Sequence, residues 1–107
     1  MSYIKIKALS VNEAWQGRRF KTDKYKKYES DLMLILPKII VPNPPYRLNI
    51  VVGFSNKASD LDNICKPFLD VLQKKYNIND KHIEILHIEK QIVTKKNEFI
   101  SFEILSI

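Results

Sequence analysis

An apolar helical stripe with a proline close to its start constrains the fold of this chain more than any other feature. Apolar side chains recur there at the spacing of one helix face, at Cys65, Phe68, Leu69, Leu72 and Tyr76. This spacing predicts an amphipathic helix over about 63–76 that packs on a core. Proline is tolerated without penalty only in the first turn of a helix, so Pro67 predicts a start at Asp62 or Asn63. The residues before that start should be extended or in a turn.

Five further segments carry the periodicity of regular structure. One is a helix from Thr22, its expected N-cap, to about Leu36, and the other four are strands at Tyr3–Leu9, Arg47–Phe54, Ile83–Val93 and Glu98–Ile107. The last two strands should form a hairpin around Lys95–Asn97, and Ser10–Phe20 should be a loop. The order β-α-β-α-β-β predicts a two-layer α+β domain, with helices packed on a mostly antiparallel sheet.

Length and composition fit one small folded domain. The chain has 107 residues, of which 45% are hydrophobic and 28% charged, so we expect a single globular domain over 1–107. The lone cysteine, Cys65, cannot form an internal disulfide and is expected to be a core residue rather than a nucleophile. The first residues do not form a signal peptide and no stretch reaches membrane-spanning length, so we expect a soluble cytoplasmic protein without a membrane partner.

The charge balance favours a polyanion as partner. The formal net charge is +6 and the sequence pI is about 9.4. Lys24, Lys26 and Lys27 lie near the start of the first predicted helix, the end at which cations are disfavoured. Their position is easier to explain if they face an anion. A solvated, lysine-rich helix face is the alternative.

Two aspartates next to the second predicted helix suggest a metal site. In an extended chain, Asp60 and Asp62 would project to the same side, and Mg²⁺ prefers such carboxylate oxygens. Lys66 lies close enough in sequence to contact a scissile phosphate. Asn63 can cap the helix or bind a metal-bound water. Asp80 follows the helix and can join the site only if the chain folds back toward the helix start.

Each of these residues also has an ordinary structural explanation. Aspartate and asparagine are common helix caps, and Ser59-x-x-Asp62 has the form of a capping box. Asn79-Asp80 is a common turn pair. Spacing alone leaves both explanations open.

A longer motif connects these residues to a known family. The segment 60–72, Asp-Leu-Asp-Asn-Ile-Cys-Lys-Pro-Phe-Leu-Asp-Val-Leu, resembles the D-x-D-N-x-x-K-x-x-L-D-x-L signature of RusA-type Holliday junction resolvases. Asn79-Asp80 stands where that family carries an aspartate pair before an apolar strand. The segment 10–15, Ser-Val-Asn-Glu-Ala-Trp, resembles the family's N-terminal S-x-N-x-x-W segment. The resemblance covers most of the chain in order and length.

The resemblance implies a homodimeric, Mg²⁺-dependent endonuclease of DNA recombination and repair, with Mn²⁺ as a candidate substitute metal. It would resolve four-way DNA junctions by paired nicks and would come from a bacterium or a phage. The implied metal-binding and catalytic aspartates are Asp60, Asp62 and Asp80, with Lys66 as the essential lysine and Asn63 and Asp70 in support. Asn79 departs from the family, which usually has an aspartate there.

Basic residues near the N-terminus are the expected contacts to a four-way junction or other branched DNA. These expected contacts, together with one asparagine, are Asn12, Arg18, Arg19, Lys21, Lys24 and Lys27. Two alternatives stay open at this point. One is a module with a resolvase-like fold that binds branched nucleic acid without cutting it, and the other is a structural or regulatory dimer that does not bind nucleic acid.

Overall fold

Two long helices and three long strands make up most of the fold. The structure is a computed structural model and describes residues 1–16 and 20–107. Its elements are β1 (Ser2–Ile4), α1 (Val11–Ala14), β2 (Trp15–Gln16), β3 (Phe20–Lys21), α2 (Asp23–Ile35), β4 (Tyr46–Phe54), α3 (Leu61–Tyr76), β5 (Ile83–Ile92) and β6 (Phe99–Ser106). Short 3₁₀ turns cover Asp80–His82 and Lys95–Asn97. No helix in these ranges is long and apolar enough to cross a bilayer.

The main sheet has four strands in the order β1-β6-β4-β5. Strand β4 pairs with β6 antiparallel and with β5 parallel, and β1 pairs with β6 antiparallel. Alternate residues of β4 are buried in the core, from Tyr46 to Phe54. Helix α3 packs on this sheet, where Phe68 meets Phe102 edge to face with ring centroids 5.7 Å apart. The predicted α+β class with a mostly antiparallel sheet is therefore confirmed.

The predicted hairpin between the last two strands is wrong. Strands β5 and β6 do not pair with each other, because they occupy opposite sides of β4. The connection between them crosses the end of β4, where the Val93 amide donates to the Phe54 carbonyl at 2.8 Å. The β4-α3-β5 crossover places β5 parallel to β4 on one side, and β6 takes the other side. The residues around Lys95–Asn97 favour a turn locally, but they do not show that β6 pairs with β4 rather than with β5.

The N-terminal segment differs from the prediction in two respects. Only Ser2–Ile4 of the predicted strand is paired, because its partner strand β6 begins at Phe99 and the last paired residues are Ile4 and Ile100. The following residues Ala8 and Leu9 are nevertheless buried. The expected loop over 10–20 contains the short helix α1 and the small β2-β3 sheet.

The start of α2 agrees with the prediction. Thr22 is the N-cap, and its Oγ1 accepts a hydrogen bond from the Tyr25 amide at 3.2 Å. The same hydroxyl donates to the Glu13 carbonyl, so the cap also joins α2 to α1.

Replacement of this cap should destabilise the protein measurably. We expect Thr22→Ala to lower the free energy of unfolding by about 0.5–2 kcal/mol, because one amide of the first turn loses its partner. Thermal unfolding followed by circular dichroism should show a drop of about 3–8 °C. Thr22→Ser keeps the hydroxyl and should unfold within about 2 °C of wild type. An equal loss in both variants would show that the methyl group, and not the cap, matters.

Helix α3 begins at Leu61, earlier than predicted, and Pro67 lies well inside it. The expected confinement of the proline to the first turn is therefore wrong. Pro67 lacks an amide hydrogen, so the Asn63 carbonyl has no partner at the usual helical position. The proline is itself buried in the stripe that packs on the sheet, which comprises Ile64, Pro67, Phe68, Val71 and Leu72. This burial offsets the lost hydrogen bond, and the register leaves Cys65 and Leu69 only half-buried.

Candidate active site

A cavity of about 300 Å³ opens where β4 ends and α3 begins. Its polar lining is supplied by three carboxylates, three amides, a lysine and small hydroxyl side chains. Among these residues are Lys7, Ser10, Asn12, Glu13, Asn56, Ser59, Asp60, Asn63 and Glu98. The cavity therefore presents hard oxygen ligands next to a helix N-terminus.

Asp60 is the N-cap residue of α3, but its carboxylate does not cap the helix. An N-cap aspartate ordinarily accepts a hydrogen bond from an amide of the first turn. Here the contact to Asp60 Oδ2 comes instead from Asn63 Nδ2 at 3.5 Å, and Asp60 is exposed. The capping box expected for Ser59 and Asp62 is also not formed, because the N-cap is Asp60. The purely structural explanation for Asp60 thus loses its main support.

Asp62 does not project beside Asp60 in the way expected for an extended chain. It lies in the first turn of α3, because the helix begins one residue before it. The helix turns Asp62 away from the cavity and aligns it with Lys66 and Asp70, at spacings of four residues on one face. Both aspartates still lie at the positive end of the helix dipole, which stabilises their charges.

Lys66 and Asp70 form an ion pair on the face that Asp62 shares. Lys66 Nζ lies 2.8 Å from Asp70 Oδ1, and the lysine side chain is 62% exposed. Asp70 Oδ2 accepts a hydrogen bond from the Tyr25 hydroxyl at 3.1 Å. The ammonium of Lys66 is therefore held against Asp70, one turn further along α3, and is open to solvent.

Cys65 also lies on α3, and it behaves as expected for a structural residue. Burial raises the pKa of its thiol, and the charge of Asp62 raises it further. The protonated thiol contacts the Leu61 carbonyl with Sγ at 3.5 Å. These conditions do not favour a nucleophilic role.

Asp80 lies at the opposite end of α3 from Asp60. Its amide donates to Gln73 Oε1 at 3.2 Å, and Gln73 follows Asp60 by three to four helical turns, or roughly 20 Å. Within the described residues, no three carboxylate, histidine or cysteine side chains converge in a geometry that suits a metal. One chain therefore does not bring Asp80 to Asp60 and Asp62. The neighbouring Asn79 accepts from the Lys81 amide at 3.1 Å, which is the expected turn role.

The lysines expected to bind DNA each lie in an ion pair. Lys21 pairs with Glu29 at 3.0 Å, Lys24 with Glu13 at 3.3 Å and Lys27 with Asp31 at 2.9 Å, and the side chains of Lys24 and Lys27 are more than 70% exposed. Exposed ion pairs of this kind contribute little to stability. A DNA phosphate can therefore replace the carboxylate as the partner of the lysine at little cost in free energy. Asn12 lines the cavity. Arg18 and Arg19 lie outside the described residues.

Sequence analysis missed several charged residues at the cavity. Glu98 accepts hydrogen bonds from the Ser55 amide and hydroxyl at 3.3 and 3.0 Å, which ties the β5–β6 connection to the end of β4. Lys95 and Lys96 belong to the same β5–β6 connection, and Lys57 lies in the β4–α3 loop between the cavity-lining residues Asn56 and Ala58. None of these lysines has an ion-pair partner among the described residues. The Lys-Lys-Asn sequence at 95–97 is the feature that could have indicated this basic region, but the same sequence is also typical of a hairpin turn.

No protein-family model matches the chain, and no curated protein matches it in sequence. The residues and their geometry are therefore the basis for any functional inference.

Proposed function

We propose that the protein is a homodimeric, Mg²⁺-dependent endonuclease that cuts four-way or other branched DNA, like the RusA-type resolvases that its segment 60–72 resembles. The observation that carries the proposal is the Asp60 carboxylate at the start of α3, which makes no cap hydrogen bond. Asp62 shares this helix terminus, and Lys66 follows within two turns. Lys7 lines the adjacent cavity, and Lys57, Lys95 and Lys96 lie in the two connections that supply part of its wall, which suits a polyanionic substrate.

The carboxylates of one chain do not form a complete metal site. The proposal therefore includes a second copy of the chain, which supplies the missing ligand. Asp60 and Asp62 are hard oxygen ligands that suit Mg²⁺, but among the described residues no third carboxylate, histidine or cysteine joins them in a geometry that suits a metal. The third aspartate that the resemblance implies is Asp80, at the far end of the helix. A partner subunit can supply that residue if the dimer joins opposite ends of the two sheets.

Strand β5 offers an edge for such a dimer. Among the described strands it pairs only with β4, which leaves one side of a ten-residue strand unpaired. Ile85, Leu86 and Ile92 are 40, 44 and 47% exposed on this strand. A long, apolar, unpaired edge is ordinarily covered by another element or another chain. Two-fold antiparallel pairing of β5 with its counterpart would satisfy both edges at once.

This pairing would bring the partner's Asp80 toward Asp60. In an antiparallel pair the start of one strand lies against the end of the other. Asp80 directly precedes β5, whereas Lys90 near the end of β5 donates to the Ser59 carbonyl at 3.0 Å, next to Asp60. Each of the two sites would then contain Asp60 and Asp62 from one subunit and Asp80 from the other. Two sites related by a two-fold axis suit the cleavage of two opposed strands.

The chain's own residues have distinct tasks in this proposal. Bound Mg²⁺ would supply Lewis-acid stabilisation of charge at the scissile phosphate. Asp60 and Asp62 would hold the ion with the partner's Asp80, which requires the Asp62 side chain to turn from the face it shares with Lys66 toward Asp60, and Asn63 orients the Asp60 carboxylate. Lys66 contacts the scissile phosphate and stabilises charge in the transition state. Lys7 in the cavity and the lysines of the two adjoining connections bind the neighbouring backbone.

A labelled synthetic four-way junction tests the proposal directly. Incubation with Mg²⁺ should produce paired nicks on opposed strands, and chelation with EDTA should abolish them. A linear duplex of the same sequence is the matched control substrate and should be cut far more slowly. Tight junction binding without cleavage in either Mg²⁺ or Mn²⁺ would instead favour the non-cleaving binding module. The separation of Asp80 from Asp60 within one chain is the observation that favours that alternative.

Binding should depend steeply on salt, because phosphate contacts release counterions. We expect junction affinity to fall roughly a hundredfold or more between 50 and 200 mM salt. Fluorescence anisotropy with a labelled junction in Ca²⁺ or EDTA measures this without cleavage. An affinity that is nearly independent of salt would contradict recognition through the exposed lysines.

A further inference from the structure

A row of polar contacts joins helices α2 and α3 beside the candidate site. The Tyr25 hydroxyl donates to Asp70 Oδ2 at 3.1 Å, and one turn further Lys74 Nζ lies 2.9 Å from Glu29 Oε1. Residues 25 and 29 on α2 thus face residues 70 and 74 on α3 at the same spacing, so the two helices run parallel here. The proposed function assigns no task to Tyr25.

Tyr25 is rigidly placed and stays a hydrogen-bond donor. The residue is fully buried, and its ring meets the edge of Trp15 with centroids 5.5 Å apart. Burial, followed by the charge of Asp70 and the hydrogen bond to it, raises the pKa of Tyr25 far above its ordinary value. The hydroxyl therefore keeps its proton at neutral pH.

The two oxygens of Asp70 have different partners. Oδ2 accepts from buried Tyr25, while Oδ1 binds the exposed ammonium of Lys66 at 2.8 Å. The hydrogen bond from Tyr25 fixes the plane of the carboxylate, and the carboxylate then fixes the end of a long, flexible side chain. Without the hydroxyl, Asp70 can rotate and Lys66 gains conformational freedom.

We propose that Tyr25 is a positioning residue that acts through Asp70 to hold the Lys66 ammonium on the exposed face of α3 that also carries Asp62. The inference rests on the proposed function, since the purpose of the held ammonium is contact with the scissile phosphate. The contacts from Tyr25 to Asp70 and from Asp70 to Lys66 connect α2, which carries the basic residues Lys24 and Lys27, to the catalytic lysine.

The first test measures Lys66 itself and needs no cleavage. The side-chain order parameter of Lys66 Cε, obtained by ¹³C NMR relaxation, should fall in Tyr25→Phe and in Asp70→Asn. Tyr28→Phe is the matched control, because Tyr28 is on the same helix, is buried, and its hydroxyl forms no hydrogen bond to a side chain among the described residues. Lys66 should keep its wild-type order in that control. Unchanged Lys66 order in Tyr25→Phe would overturn the inference, whether or not the protein cuts DNA.

The second test separates positioning from a general structural effect. Single-turnover cleavage of the junction should be about tenfold slower in Tyr25→Phe, with the junction Kd unchanged. In a Lys66→Ala background, Tyr25→Phe should cause no further loss, because both substitutions remove the same interaction. Independent, multiplicative losses, or an equal loss in Tyr28→Phe, would overturn the inference. Failure of wild-type protein to cut any junction refutes the proposed function instead, and the NMR result then decides whether the contact holds Lys66.

Discussion

Asp60→Asn and Asp62→Asn should each reduce Mg²⁺-dependent junction cleavage by about a thousandfold or more. Each change replaces a charged metal ligand by a neutral amide of the same size. Junction affinity should stay within about threefold of wild type or rise slightly, because a negative charge is removed from a polyanion-binding surface. Single-turnover cleavage and anisotropy, measured on the same preparations, separate the two effects. Because the Asp60 carboxylate forms no cap hydrogen bond, Asp60→Asn should leave the thermal stability almost unchanged.

Asp31→Asn is the matched control for these variants. It removes the same charge from α2, where Asp31 pairs with exposed Lys27 at 2.9 Å, on a helix face away from α3. This variant should cleave the junction at close to the wild-type rate. Cleavage within tenfold of wild type by both Asp60→Asn and Asp62→Asn would remove α3 from the candidate site. A comparable loss in Asp31→Asn would indicate that net charge, and not metal binding, controls the rate.

A mixture of inactive Asp60→Asn and inactive Asp80→Asn subunits should recover cleavage. In a site shared between subunits, the mixed dimer has one site with both substitutions and one site with neither. Half of the dimers in an equal mixture are mixed, so about a quarter of the wild-type number of intact sites is expected. Each mixed dimer can cut only one strand, so the products should be single nicks rather than resolved junctions. Denaturing gels of a junction labelled on each strand in turn distinguish these outcomes.

The control mixture combines Asp60→Asn with Asp62→Asn. Both of these residues come from the same subunit's α3, so every site in that mixture contains a substitution and cleavage should not return. Recovery in this control would be incompatible with the proposed arrangement. No recovery with Asp60→Asn and Asp80→Asn, after verified subunit exchange, would place all aspartates of a working site in one chain or exclude Asp80 from it.

The elements that are specified by residues close together in the sequence agree with the prediction. Thr22 has a side chain that caps and is followed by helical spacing, so α2 was predicted with its cap. Strand β4 was predicted within one residue, because the segment is rich in β-branched residues. The start of α3 was wrong because Pro67 is accommodated by burial, which no local rule reveals. The hairpin was wrong because strand pairing depends on competition for β4, far away in sequence.

The candidate site was predictable as a set of residues but not as an arrangement. The motif identifies Asp60, Asp62 and Lys66, and all three lie in the first two turns of α3 or at its cap. The position of Asp80 depends on the direction of α3 across the sheet, which the motif does not encode. The contact between Tyr25 and Asp70 joins residues that are 45 positions apart, so only the fold brings it about.

The strand order has a consequence for the way the chain folds during synthesis. Among the described strands β1 pairs only with β6, so β1 leaves the ribosome well before the strand that pairs with it. At ordinary elongation rates of about 5–20 residues per second, this interval lasts roughly 5–20 s. In that interval β4 also lacks its antiparallel neighbour, and Glu98 has not yet reached Ser55 to close the cavity wall. Completion of the sheet and closure of that wall therefore both require β6, and a nascent chain that lacks this strand cannot possess a finished site.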